Sequence, residues 1–127
     1  MIHFDHIEIH VRDAKEYTEF LYILFKGGRY KKISENSTYM FLTPDSLRFE
    51  IKESKTNITN INPSNIIGFC LPCLRMKNAE DHIKSIKSIN IYKIIDNPDG
   101  KCFFFEDYLG IHWHIKDYEI LDIYTNI

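Results

Sequence analysis

The chain has 127 residues, 44% of them apolar and 14% aromatic, with a formal net charge of −2. That describes one globular domain with enough apolar side chains for a core, and a charge that offers no general attraction to nucleic acid or to an anionic membrane. No apolar run approaches the roughly 18 residues of a membrane span, and the start MIHFDHIEIH lacks the regions of a signal peptide, so a cytoplasmic protein is expected. The cysteines Cys70, Cys73 and Cys102 are odd in number, which disfavours a disulfide framework and fits a reducing compartment.

The stretch IHFDHIEIHV alternates, with Ile7, Ile9 and Val11 apolar and His6, Glu8 and His10 polar, and predicts a half-buried strand. Asp13 followed by Glu16 forms a capping box, after which Tyr17, Phe20, Leu21, Leu24 and Phe25 recur at helical spacing until Gly27-Gly28 stops the helix. RYKKIS and STYMFL predict two strands joined by a turn around Glu35-Asn36, and TPDS predicts a type I turn into the strand LRFEIKE. The order is βαβββ. SKTNITNINPSN is a polar connection.

The plan then repeats. NIIGFCLPC predicts a strand, Asn78 with Asp81 a capped helix carrying Ala79, Ile83 and Ile86, and NIYKIID a second strand. NPDG has proline and glycine where a type I turn favours them, before KCFFFED and IHWHIKD. In the last of these His112, His114 and Lys116 share one face while Trp113 and Ile115 share the other. A shift of 64 residues aligns FLTPDSLRFEIK with FEDYLGIHWHIK without a gap, so that Phe41 meets Phe105, Phe49 meets Trp113, Ile51 meets Ile115, Lys52 meets Lys116, and Glu50 falls opposite His114.

The two βαβββ halves, the first strand DHIEIHVRD leading into AKEYTEFLYILF, and the final ED-x-x-G strand with Asp107 and Gly110 together resemble the vicinal oxygen chelate superfamily, which includes glyoxalases, extradiol dioxygenases, and fosfomycin- and bleomycin-resistance proteins. The resemblance implies an α+β fold of two βαβββ modules, about 2–53 and 65–118, whose cupped mixed sheets enclose a cavity within a single domain spanning 1–127, with a C-terminal tail at 119–127. It also implies metal ligands on the first and last strands of the modules: His6, Glu50 and His114, with Ile66 where the second module's first strand commonly offers a histidine. Asp107 and Gly110 are kept, while Tyr108-Leu109 replace the usual Pro-Asp and His114 the usual glutamate.

Two imidazoles and a carboxylate suit one divalent metal ion (Fe, Mn, Ni or Zn) with open positions for substrate oxygens. Glu8 and His10 are candidate catalytic bases; Arg48, Lys52, His112 and Lys116 are candidate substrate-binding residues, suited to an anionic or oxygen-rich small molecule. The expected function is a metal-dependent lyase, isomerase or dioxygenase. The alternative is a metal-free small-molecule binding protein of the bleomycin-resistance type. His3 and His82 are expected to be exposed or incidental, and the CLPC cysteines to be packing residues, because the following helix starts too late to activate a thiol. The apolar tail YEILDIYTNI and the sparsely charged NIIGFCLPC point to a homodimer.

Overall fold

The computed structural model describes residues 5–34, 37–55, 71–98 and 100–117. It divides into two compact units, Met1–Asn60 and Ile61–Ile127. The first contains β1 (Ile7–Val11), α1 (Ala14–Leu24), β2 (Arg29–Ser34), β3 (Thr38–Leu42) and β4 (Arg48–Glu53); the second contains β5 (Cys73–Met76), α2 (Ala79–Ser85), β6 (Asn90–Asn97), β7 (Gly100–Glu106) and β8 (His112–Asp117).

Each unit is a four-stranded mixed sheet with one helix, in the orders β1-β4-β3-β2 and β5-β8-β7-β6. The first strand runs parallel to the last in both, and the other pairs are antiparallel. This is the doubled βαβββ plan read from the alternation.

In the first unit Phe41, Phe49 and Ile51 face α1, whose Tyr17, Phe20, Leu21 and Leu24 are buried. Full burial of each such side chain contributes roughly 2 kcal/mol. Thr18, buried among them, satisfies its hydroxyl by donating to the Ala14 carbonyl at 2.7 Å. The second unit repeats the arrangement with Phe103, Phe105, Trp113 and Ile115 against Ala79 and Ile83. The pairs Phe41↔Phe49 and Phe105↔Trp113 reproduce the 64-residue shift in the antiparallel strands. From β1 to β5 and between the helices the shift is 65: Glu8, opposite Glu50, corresponds to Cys73, opposite His114, and Ala14 matches Ala79.

Helix ends follow sequence only in part. Asp13 caps α1 by accepting from the Glu16 N–H at 2.9 Å, and Glu53 of β4 accepts from the Ala14 N–H at 3.2 Å. The stop lies one residue before the glycine pair. Lys26 takes the left-handed conformation at φ 54 and the Gly27 N–H donates to the Tyr22 carbonyl at 2.9 Å, a Schellman ending. At α2, Asn78 makes no side-chain cap; its φ of 59 uses asparagine's tolerance of the left-handed region instead. His82, expected to be exposed or incidental, is buried where α1 has Tyr17. The TPDS turn closes as expected, Ser46 N–H donating to the Thr43 carbonyl at 2.9 Å.

The described strand of the NIIGFCLPC region is Cys73–Met76, later than the sequence pattern suggests. Ile66, Cys70, the turn at Glu35-Asn36, His3 and the tail at 119–127 lie outside the described residues. The register also corrects the place expected of Ile66. With Cys73 matching Glu8, the residue in the position of His6 is Leu71.

Candidate functional site

Strand alternation gives each sheet a face away from its helix. In the first unit that face carries Glu8, His10, Met40, Arg48, Glu50 and Lys52. His6, just before β1, turns its Nε2 to Glu50 Oε2 at 3.3 Å, while its Nδ1 lies 2.6 Å from Asp5 Oδ2. The carboxylate behind the ring fixes which nitrogen points inward, the device that orients metal-binding histidines. The hydrogen bond to Asp5, helped by the charge of Glu50, raises the His6 pKa above its ordinary value.

Lys52 Nζ bridges Glu8 Oε1 at 2.9 Å and Glu50 Oε1 at 3.0 Å. Glu8 Oε2 also meets His10 Nε2 at 2.9 Å. The hydrogen bond from Lys52, then that from His10, pulls the Glu8 pKa down to about 2, so this carboxylate stays ionised and has little tendency to take a proton. Arg48 lies 3.6 Å from Asp5. The cations of this face therefore already have carboxylate partners.

In the second unit the corresponding face carries Cys73, Arg75, Cys102, Phe104, Glu106, His112, His114 and Lys116. The His114 ring stacks at a tilt on Phe104, centroids 5.0 Å apart, with Nδ1 3.9 Å from Cys102 Sγ. Burial and the nearby Lys116 charge lower its pKa, against a hydrogen bond to the Leu71 backbone, so it is a neutral imidazole at ordinary pH. His112 is held by the Tyr92 hydroxyl at 2.9 Å from Nδ1 and by Glu106 at 3.5 Å from Nε2. Partial desolvation pushes the Cys73 and Cys102 thiols up, which keeps both protonated at neutral pH; Cys73, expected to be a packing residue, is exposed.

The structure thus brings together His6 and Glu50, with Glu8, His10, Arg48 and Lys52 on the same face. It puts His112, His114 and Lys116 on one face of the other sheet. Sequence reasoning missed Asp5, whose signal was its place next to His6, and the partners Cys102, Tyr92 and Glu106, of which Cys102 and Glu106 share the parity of Phe104. For a metal ion, the pair His6 Nε2 and Glu50 Oε2 fits as two donors with the orienting Asp5 behind. Among the described residues no group of three or more His, Cys, Asp or Glu side chains is disposed to hold one.

The two βαβββ units share their fold, across most of the chain, with solved structures of glyoxalase and fosfomycin-resistance proteins. The structure is similar to the fosfomycin resistance protein FosX from Listeria monocytogenes in its monoclinic form at pH 6.5, with TM-score 0.69, 18% identity and 92% of each chain covered. It is similar to a glyoxalase family protein from Bacillus cereus, with TM-score 0.68, 13% identity, and 92% of this chain and 94% of that one covered. A glyoxylase/bleomycin resistance protein/dioxygenase domain from Frankia sp. EAN1pec gives TM-score 0.67 at 13% identity, covering 92% of each chain. Another FosX structure, at TM-score 0.64, 17% identity, 91% of this chain and 90% of that one, is a complex with Mn(II) and 1S,2S-dihydroxypropylphosphonic acid. No protein-family model matches the sequence, and no curated protein matches it.

Proposed function

We propose that this chain is a small-molecule enzyme of the vicinal oxygen chelate type that uses one divalent metal ion to engage substrate oxygens in lyase, isomerase or dioxygenase chemistry. The observation that carries the reading is the approach of His6 Nε2 to Glu50 Oε2 at 3.3 Å, with Asp5 2.6 Å behind the imidazole. His114, a ligand expected from the sequence, belongs to the second unit; its lowered pKa keeps the lone pair that ligation needs. Mn(II) in a FosX structure of the same fold supports the choice of a hard-to-borderline divalent ion. When bound, the metal supplies Lewis acidity. His6 must give up its Nε2 proton to accept it, and Lys52 holds the Glu8 and Glu50 carboxylates in orientation. His10 remains the candidate base, since Glu8 is too strongly held as an anion.

A metal-free binding protein is the second reading, and two observations favour it. Leu71 stands where His6 stands in the first module, removing one donor, and Lys52 already occupies an oxygen of Glu50. Thermal unfolding separates the readings. Metal use predicts a melting temperature raised by Mn(II), reversed by chelator and unchanged by Mn(II) in His6→Ala. A melting temperature indifferent to Mn(II), Fe(II), Ni(II) and Zn(II) would favour the metal-free reading.

A further inference from the structure

The repeat makes Lys52 and Lys116 structural equivalents. Each is two residues beyond the residue that faces the first strand of its unit, Glu50 opposite Glu8 and His114 opposite Cys73. Lys52 is neutralised by those two carboxylates, at 2.9 Å and 3.0 Å. In the second unit both carboxylates are replaced by uncharged groups, a thiol and an imidazole, and His10, opposite Lys52, is replaced by Arg75, opposite Lys116. Lys93 adds a further cation, its Nζ 5.3 Å from the centroid of the Phe104 ring. Among the described residues the one carboxylate that the register puts on this face is Glu106, and it lies against His112 at 3.5 Å. Lys116 and Arg75 are half-buried and Cys73 is exposed, so the face is accessible to a small ligand.

We infer that the sheet face of the second module is an oxyanion subsite, in which Lys116, with Arg75 and Lys93 around it, receives a carboxylate or phosphate-type group of a small molecule where the first module has Glu8 and Glu50. The ligand supplies the counter-charge that the repeat has lost. Two modules of one plan thereby differ in what they bind, the first offering paired carboxylates and imidazole, the second a cationic face without that carboxylate pair. The excess of positive charge among the described residues of this partly desolvated face focuses its field on an incoming anion. The inference deepens the proposed function by giving the substrate an anionic group, and it rests on that reading for the substrate's role.

The test uses protein stripped of metal with a chelator, so that failure of metal binding leaves its readout intact. Inorganic phosphate and acetate are titrated separately at low ionic strength into the full chain labelled for NMR, with circular dichroism confirming the fold of each variant. Saturable shifts centred on Cys73, Cys102, His114 and Lys116 are expected with at least one probe, and the better of the two names the anion class. Lys116→Gln should weaken binding at least tenfold. Cys73→Glu, which keeps the lysine and restores the carboxylate of the first module, should do the same, whereas Lys101→Gln, on the other face and paired with Glu80 at 3.4 Å, should leave it unchanged. No saturation with either probe, or equal binding in Lys116→Gln and Cys73→Glu to that of the parent chain, would overturn the subsite.

Discussion

Asp107 Oδ2 accepts the indole N–H of Trp113 at 3.1 Å, and both residues are buried. The other oxygen, Oδ1, accepts from the backbone N–H groups of Leu109 at 2.9 Å and Ile111 at 3.0 Å. One carboxylate thus closes the turn before β8 and fixes the largest side chain of that core. Asp107→Ala leaves a buried indole N–H without its acceptor and opens the turn, and should cost about 3 kcal/mol. Asp107→Asn can keep one set of bonds but not both, and should cost roughly 2 kcal/mol. Urea unfolding of the three proteins checks the order, and equal midpoints would show that the turn does not depend on Asp107.

Gly28 sits at φ +110 with Leu42 O 2.6 Å and the Phe41 ring 2.9 Å from where a Cβ would stand. Gly110, at φ +81, has open space around it. Gly110→Ala therefore suffers backbone strain alone, about 1 kcal/mol. Gly28→Ala adds a clash with backbone and a core ring, and should cost about 3 kcal/mol. Thermal unfolding distinguishes them; a Gly28 variant as stable as the Gly110 variant would contradict the close approach.

The alternation of apolar residues disclosed the strands, and Phe41 with Phe49 and Phe105 with Trp113 disclosed the repeat, because an antiparallel pair joined by a short turn has its register set locally. Parallel pairing carries no such local signal. The match of Glu8 to Cys73 could not be read along the chain, so the sequence pattern gives Ile66 a place that belongs to Leu71. Parity put Glu8, Glu50 and Lys52 on one face. That Lys52 binds both carboxylates, and that Lys116 has no such pair, depends on cross-strand neighbours that only the register supplies. The left-handed Lys26 and Asn78 escaped for a different reason: the chain solved helix ends with tertiary context where glycine and a side-chain cap were the local expectation.

The network around Glu8 gives a pH dependence of defined sign. Lys52, then His10, depresses the Glu8 pKa to about 2, from 4.5. A depressed carboxylate contributes stability above its unfolded pKa and loses it as pH falls through the folded value, between about 4.5 and about 2. His6, raised above 6.5 by Asp5 and Glu50, behaves oppositely: its contribution is full below 6.5 and is lost as pH climbs through the elevated folded value. NMR titration should find His6 above the ordinary range and Asp5→Asn returning it downward, while Lys52→Met raises the Glu8 midpoint. A His6 midpoint unmoved by Asp5→Asn would refute the pairing.

Strand β6 leaves Tyr92, Ile94 and Ile95 exposed, and the homodimer expected from the sequence is open to direct test. Sedimentation at micromolar concentration should give a dimer for the full chain. Shortening it after Tyr118 should weaken association; a monomeric full chain excludes the dimer, and an equally tight shortened one excludes a part for the tail.

Metal content decides the central proposal. The protein is stripped with chelator, reloaded with Mn(II), dialysed and analysed by inductively coupled plasma mass spectrometry, alongside His6→Ala and Glu50→Gln. The account predicts one ion per chain and a substoichiometric content in both variants. Substoichiometric metal in the parent protein after reloading, or the same content in the parent and both variants, would contradict it.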